Sequence, residues 1–408
     1  MEAIRKIVND EFHFRCDKQD MRISYFFCIF TSVLLFISCS AKSPQFVKKQ
    51  EIVYQTGFPV RDPYGIFYNQ ENKTEYFYIA DMMEYRKLLF FTIDGKKAME
   101  IPTDSLATWR TTTGIAIKNL DTIIFIMSDI GRGNDRIVFM DRNGNRWKKI
   151  ELYDAIQADE NNWKYFFLGK WKVFFEQDEL FLRILLVDKT VDSSILKTRN
   201  QELILSDIIP KTHQAHALLK YNIQTGQYQY ALSDMWRIIC PDTNLYLFSI
   251  LFAIENNILF VYSATGNIVY LFDKDSFRIK KKIEITSPYA DIGVLPCSLE
   301  GRIGWYFQNN IPLHGGLIDI MYDKYKHFYY VIIRHVPKDL MLLDEAPFSI
   351  QVYDAKFNKL TEQVFNGEKY ALRDCLVCSR GLLIMHSSSR EDDNPTEVKY
   401  DLFKVKKK

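Results

Sequence analysis

The chain has 408 residues, of which 47% are hydrophobic and 15% aromatic. This is enough to bury a large core, and the high aromatic content favours β-sheets. Its formal net charge is only +2, with 25% charged residues. A nucleic-acid partner is therefore not expected, because proteins that bind nucleic acids usually carry a strongly positive surface.

The first predicted element is an export signal. Residues 25–37 form an apolar run, which is shorter than the about 20 residues of a membrane-spanning helix but fits the hydrophobic region of a signal peptide. Arg22 supplies a positive charge just before this run. Residues 1–20 carry charges of both signs, unlike the start of most signal peptides, so Met21 is an alternative start of translation.

The apolar run ends in Phe36-Ile37-Ser38-Cys39, which resembles the lipobox of bacterial lipoproteins. In that family the cysteine is diacylated and becomes the first residue, and two acyl chains anchor a protein firmly. The resemblance predicts a signal peptide over 1–38, a lipidated tether over 39–50 and one domain over 51–408. An uncleaved signal anchor and a plain secretory signal are the alternatives.

The residues behind Cys39 bear on the location of the anchor. Surface-exported lipoproteins of Bacteroidetes resemble one another in an acidic run at this place, and residues 40–43 (SAKS) lack it. We therefore expect a protein of the cell envelope that is lipid-anchored in the outer membrane and faces the periplasm.

The rest of the sequence repeats with a period of about 45 residues. Segments 75–97 and 122–146 share an apolar stretch, an Asp, a polar loop, a second apolar stretch and a turn with Asp and Gly. A period of this length with several strands per unit is typical of β-propellers. Each repeat has two apolar faces, which only neighbouring repeats can bury.

The predicted fold is all-β: a six-bladed β-propeller of four-stranded antiparallel blades. The blades are predicted at 65–103, 113–152, 163–232 with a long insert, 246–286, 316–365 and 370–405. The last blade is one strand short, and residues 51–56 supply it, so the N-terminal strand closes the ring and removes a sheet edge. Seven blades would require another blade within 288–310.

The stretch YFYIADMMEYRKLLFFTIDGK (76–96) resembles the blades of NHL-type and TolB-like six-bladed propellers. Together with the lipobox, the chain is similar to the six-bladed propeller lipoproteins of Bacteroidetes, many of which are domains of unknown function. The resemblance implies a fold and a place in the envelope. It transfers no catalytic residue.

Loop length predicts the binding face. The turns after the third strands are tight, whereas the loops between second and third strands are longer and, in a propeller, emerge together on one face. Variable loops on a rigid scaffold are the usual place of binding residues. We therefore expect ligand-binding side chains among those on these loops, namely Arg86, Arg132, Arg136, His213, His216 and His335.

Each of these candidates also has a plainer interpretation. The arginines suit a carboxylate or sugar acid, but they also suit a solvated rim. His213 and His216 could share a metal ion on a helix, or they are exposed loop residues. Asp129 and Asp135 flank a glycine-rich stretch that is broadly similar to a calcium loop, although Asp and Gly are expected in any turn.

The cysteines after Cys39 allow disulfides in an exported protein. They are Cys240, Cys297, Cys375 and Cys378. Cys375 and Cys378 have the CxxC spacing, but in a strand these positions point to opposite faces. The spacing therefore predicts structural thiols rather than a redox or metal site.

Two functions are compatible with these observations. The first is a non-enzymatic platform that binds an envelope protein or a glycan through the long-loop face. The alternative is a metal-dependent hydrolase or lyase that acts on a sugar or lactone at the mouth of the central channel. No Ser-His-Asp order, P-loop or nucleotide fingerprint is visible, which favours the binding platform.

Overall fold

The fold is built from strands. In a computed structural model of the chain, the described residues are 44–58, 64–81, 86–106, 112–127, 136–152, 163–167, 173–188, 217–232, 250–264, 266–292, 315–336, 346–389 and 396–406. Within these ranges, no helix is both long and apolar enough to cross a membrane. Residues Gln45–Val405 form one compact unit.

The strands form six antiparallel sheets, the blades. Strand β1 (Gln45–Gln55) comes first in the chain and belongs to the last sheet. Blade 1 contains β2 (Tyr64–Asn69), β3 (Thr74–Asp81), β4 (Lys87–Thr92) and β5 (Lys97–Pro102), and blade 2 contains β6 (Thr112–Asn119), β7 (Thr122–Met127), β8 (Arg136–Met140) and β9 (Arg146–Glu151). Blade 3 contains β10 (Trp163–Phe167), β11 (Phe174–Glu176), β12 (Glu179–Asp188), β13 (Leu218–Asn222) and β14 (Tyr228–Ala231).

The second half of the ring follows the same order. Blade 4 contains β15 (Ile250–Glu255), β16 (Ile258–Ser263), β17 (Ile268–Asp273) and β18 (Ile279–Glu284), and blade 5 contains β19 (Gly316–Asp323), β20 (Phe328–Arg334), β21 (Phe348–Tyr353) and β22 (Lys359–Phe365). Blade 6 contains β23 (Tyr370–Cys378), β24 (Gly381–His386), β25 (Glu397–Lys406) and β1. The predicted six-bladed propeller is confirmed, and the seven-blade alternative is wrong.

The N-terminal strand closes the ring as predicted. Strand β1 lies next to β25 in the order β1-β25-β24-β23. The backbone amides of Thr56 and Gly57 both donate to the carbonyl of Thr396, at 2.9 Å each. Strand β1 begins at Gln45, so the second half of the segment predicted as a tether, 45–50, belongs to the sheet.

Blade 3 departs from the four-stranded plan. Its strand β12 is long and pairs with β10 through its second half and with β11 through its first half. The short strand β11 therefore adds a fifth strand to this blade. The sequence pattern did not separate β11 from the apolar stretch around it, because three residues are too few for an alternation to be recognised.

The middle strands are apolar throughout because both of their faces are buried. In β3, Phe77 and Ile79 pack into the interface of blades 6 and 1, whereas Tyr76, Tyr78 and Ala80 pack into the interface of blades 1 and 2. The outermost strand β18 (IKKKIE), in contrast, is mostly exposed. Two-sided burial therefore explains the unbroken apolar runs of the sequence.

Among the described residues, apolar clusters fill five of the interfaces between neighbouring blades. At the ring closure, Tyr54 of β1 packs against Phe77 of blade 1, with ring centroids 4.3 Å apart. The interface of blades 3 and 4 carries ion pairs instead. There Lys274, only 2% exposed, lies 3.0 Å from a carboxylate oxygen of Glu176 and 3.9 Å from one of Glu179.

The turns after the third strands stabilise themselves. The Oδ1 atom of Asp141 accepts the backbone N–H groups of Asn143 and Asn145, at 2.9 and 2.8 Å. Asp354 forms the same pair of bonds with Lys356 and Asn358. Such Asx turns need no distant partner, which is why the sequence predicted them correctly.

Gly144 joins one of these turns to the neighbouring blade. Its φ is +81°, and a Cβ atom there would lie 2.4 Å from the carbonyl oxygen of Pro102 in blade 1. Only glycine allows both the left-handed backbone and this close approach. Gly95 of blade 1 meets Val53 of β1 in the same way, again at 2.4 Å.

Candidate functional site

The two faces of the propeller differ in the length of their connections. Loops between second and third strands all lie on one face, because successive strands are antiparallel. Their lengths range from four residues in blade 4 (264–267) to 29 in blade 3 (189–217). The turns between third and fourth strands, on the opposite face, contain four or five residues. We call these faces the long-loop face and the tight-turn face.

Among the sequence candidates on the long-loop face, Arg86 is exposed. It has a φ of +50°, and its backbone carbonyl accepts the N–H of Thr103 at 2.8 Å. Thr103 lies in the connection from blade 1 to blade 2. The bond therefore joins two loops of the same face and fixes the position from which Arg86 extends into solvent.

Arg136 occupies a different environment. It is 8% exposed, and its Nε lies 3.5 Å from a carboxylate oxygen of Glu151, its partner on the adjacent strand β9. The side chain thus connects two strands of blade 2. Burial leaves little of this side chain accessible to a ligand. Its predicted role in ligand binding stays a prediction.

Several predicted residues lie outside the described residues. These are Cys39, Asp129, Arg132, Asp135, His213, His216, Cys240 and Cys297. Their roles in lipidation, ligand binding and calcium binding remain predictions.

His335 forms an aromatic contact on the long-loop face. Its ring stacks on that of Tyr289, with centroids 6.4 Å apart and planes 18° from parallel. His335 is 8% exposed, whereas Tyr289 is 55% exposed. The pair thus presents one open aromatic ring that is supported from below by a buried one.

Burial favours the neutral form of the His335 ring. Desolvation lowers its pKa, and the negative charge of Glu362 only partly offsets this effect. Its Nε2 atom is buried and makes no hydrogen bond with the residues that the structure describes. A neutral imidazole can either donate or accept a hydrogen bond.

A buried carboxylate holds the segment that carries Tyr289. Glu362 accepts hydrogen bonds from the hydroxyls of Ser287 and Ser349, at 2.6 Å each, and from the side-chain amide of Gln351 at 2.9 Å. Burial raises the pKa of Glu362. These hydrogen bonds and the one from Lys359 lower it by more, so the net pKa is below its usual value. The network ties the loop after blade 4 to the sheet of blade 5.

Sequence reasoning missed Tyr289 and Glu362. One signal was available: Ser349 and Gln351 are polar residues at alternate positions of an otherwise apolar strand, FSIQVY. Both are fully buried and face the same side. Two buried polar side chains on one strand face indicate a hydrogen-bonded partner between the blades.

The cysteine prediction can be tested for one pair. Cys375 and Cys378 are both buried. Cys375 packs between blades 5 and 6 and Cys378 between blades 6 and 1, so the predicted opposite faces are confirmed. Burial raises the pKa of the Cys378 thiol to about 11. A thiol with such a pKa is a poor redox nucleophile, and both residues serve the core.

No protein-family model matches the sequence, and no curated protein matches it. The chain is similar to the crystal structure of a member of the DUF4221 family from Bacteroides vulgatus, at 15% identity and a TM-score of 0.63, covering 90% of this chain and 100% of that chain. A candidate exported protein of Bacteroides fragilis is also similar, at 9% identity and a TM-score of 0.47, covering 89% of this chain and 95% of that chain.

The shared feature is the fold. The similarity to the Bacteroides vulgatus structure extends over nearly the whole propeller. The predicted resemblance to Bacteroidetes propellers is therefore confirmed for the architecture. At this level of identity the similarity concerns the fold alone.

Proposed function

We propose that the protein is an envelope lipoprotein that acts as a non-enzymatic binding platform for a protein or glycan partner through its long-loop face. The observation that supports this proposal most directly is the open ring of Tyr289, stacked on the buried ring of His335. A rigid aromatic side chain offers a large contact area and loses little conformational entropy when a partner binds.

The surroundings of Tyr289 suit such a role. The hydroxyl of Ser287 accepts the backbone N–H of Tyr289 at 3.1 Å and donates to Glu362, so the aromatic residue stands on a fixed loop. Sites that are held in their binding geometry before the partner arrives bind more tightly, because less freedom is lost on association. Arg86 adds an exposed positive charge on the same face.

The test compares two exposed aromatic residues on different parts of the surface. Tyr289→Ala removes the open ring of the long-loop face, and Trp147→Ala removes a similarly exposed ring (52%) from the outer strand of blade 2. Partner capture from detergent-solubilised membranes and binding to a glycan array should fall at least about tenfold for Y289A alone. Equal capture by wild type, Y289A and W147A would refute the platform at this site.

The location is tested separately. Cys39→Ala removes the proposed lipid attachment and should move the protein from the membrane fraction to the soluble periplasmic fraction. With the anchor intact, the domain should resist protease added to intact cells, since the proposal places it on the periplasmic side of the outer membrane. A C39A variant that stays in the membrane fraction would contradict the lipid anchor.

A further inference from the structure

The ring closure brings together three side chains of the metal-binding type. They are Glu51 of β1, His386 of β24 and Asp401 of β25, and one possible ligand atom from each lies within 4.8 Å of the other two. Glu51 belongs to the first strand of the chain and the other two to the last blade. The group therefore exists only because the N-terminal strand completes blade 6.

Hydrogen bonds and ion pairs fix the carboxylate of Asp401, as is common for metal-binding carboxylates. Its side chain is fully buried, and its Oδ2 atom accepts a hydrogen bond from the hydroxyl of Tyr370 at 2.7 Å. The amino groups of Lys48 and Lys369 lie 2.7 and 3.5 Å from the same oxygen. These contacts fix the carboxylate and leave its other oxygen, Oδ1, directed at His386.

The facing atoms of Asp401 and His386 form a close polar contact. Nε2 of His386 and Oδ1 of Asp401 are 3.1 Å apart, but neither atom makes a hydrogen bond of good geometry with any residue that the structure describes. Both atoms are buried. Within the described part of the chain the two atoms thus have only each other as partners, and a metal ion between them would bind both at once.

A divalent metal ion fits this geometry. Bonds of about 2.0–2.1 Å to the nitrogen and 2.0–2.2 Å to the oxygen reproduce the 3.1 Å separation at a ligand–metal–ligand angle of roughly 100°. Oε2 of Glu51 lies 4.0 Å from Nε2, and its side chain is 46% exposed, so it can turn to complete a third bond. One imidazole and two carboxylates suit Zn²⁺ and neighbouring transition metals.

We propose that Glu51, His386 and Asp401 bind one divalent transition-metal ion, with Zn²⁺ preferred, that links the N-terminal strand to β24 and β25. Lys48 and Lys369 oppose the ion electrostatically, but both contact Oδ2 and are nearly half exposed, at 44% and 49%. The ligands come from the three outer strands of blade 6. Strand β23 contributes only Tyr370, which supports Asp401, and no ligand belongs to the binding platform, so the proposal is independent of that platform.

The test uses the full chain, stripped of metal with a chelator and then titrated with Zn²⁺ in a calorimeter. We expect one ion per chain, a higher thermal midpoint, and slower amide hydrogen exchange in β1, because a ligand that binds only the folded state stabilises it. Co²⁺ should give a visible absorption spectrum at the same stoichiometry.

Two ligand variants and two matched controls localise the ion. His386→Ala and Glu51→Gln should each weaken Zn²⁺ binding by more than about tenfold. Glu51 is exposed, so E51Q tests ligation without threatening the fold. The controls His327→Ala and Glu284→Gln alter an exposed His of blade 5 and an exposed Glu of blade 4 and should leave binding unchanged. The proposal is overturned by the absence of one-to-one binding, or by binding that survives both H386A and E51Q.

Discussion

The two faces of the propeller are built on different principles. On the tight-turn face, connections of four or five residues follow every third strand from blade 1 to blade 5, and an Asp or Asn side chain closes most of them. On the long-loop face, connections reach 29 residues, and stability comes from contacts between distant segments, such as that of Glu362 with Ser287. The tight turns are thus stabilised locally, whereas the long-loop face depends on contacts between blades.

The largest effect is expected on the tight-turn face at Gly144. Gly144→Ala should reduce the free energy of unfolding by about 3 kcal/mol. Alanine disfavours the left-handed backbone at this position, and its Cβ atom would clash with the carbonyl oxygen of Pro102. Gly226→Ala is the matched control. Its φ is +74°, but the nearest atom to its Cβ would be 3.9 Å away, so only about 1 kcal/mol is expected. Equal losses in chemical denaturation would disprove the role of the close approach.

The next effect tests the ion pairs between blades 3 and 4. Lys274→Met leaves Glu176 without its buried cation, whereas Glu179 keeps Lys220 at 2.7 Å, and the change should destabilise the fold by about 2–3 kcal/mol. This is below the usual cost of breaking a buried pair, since the two carboxylates keep 32% and 19% exposure. Lys280→Met, in the exposed pair with Asp273, should cost less than about 1 kcal/mol. A larger loss for K280M than for K274M would contradict this ranking.

A smaller effect should appear in acid. Lys280 and the backbone N–H of Ser276 lower the pKa of Asp273, and the N–H of Asn145 lowers that of Asp141. A lowered pKa stabilises the folded state above the unfolded-state pKa, and this stability is lost as the pH falls below about 4. The double variant Asp141→Asn, Asp273→Asn should flatten the dependence of the thermal midpoint on pH between about 2 and 5.

The physical reason is that an Asn oxygen accepts the same backbone bonds without titrating. Asn222 does so in blade 3, where it accepts the N–H groups of Gln224 and Thr225 at 3.0 and 2.9 Å. The double variant should therefore be nearly as stable as the wild type at neutral pH. An unchanged acid dependence would show that other carboxylates control it.

The smallest effect on stability is expected on the long-loop face. Tyr289→Ala should change the free energy of unfolding by less than about 0.5 kcal/mol, because the ring is 55% exposed. Glu362→Ala is the contrasting change on the same face. It leaves the hydroxyl of Ser349 buried without its acceptor and removes one of the two acceptors of the Gln351 amide, and should cost about 1–3 kcal/mol in chemical denaturation. A Y289A variant as unstable as E362A would mean that the open ring supports the fold rather than recognition.

The extent of the sequence predictions follows from the range of the interactions involved. The blade order, the blade bounds to within a few residues and the closing role of residues 51–56 were predicted, because alternation, Asx turns and period are local features. The fifth strand of blade 3 and the start of β1 at Gln45 were not. Both depend on pairing with a distant strand, β12 in one case and β25 in the other.

The candidate site shows the same division. His335 was placed on the correct loop by sequence, but the stacking partner Tyr289 and the support from Glu362 arise from contacts between blades 4 and 5. The sequence also could not distinguish exposed Arg86 from buried Arg136, since both follow the same kind of loop. Exposure is decided by neighbours across the sheet, not by position in the repeat.

By itself, then, the sequence determined a closed ring of six blades with one face of tight turns, because each blade repeats short-range patterns that need no distant partner. Only the tertiary structure decided which side chains meet across blades. The meeting of Glu51 with His386 and Asp401 is the clearest case, since residues more than 330 positions apart become neighbours when the first strand completes the last sheet.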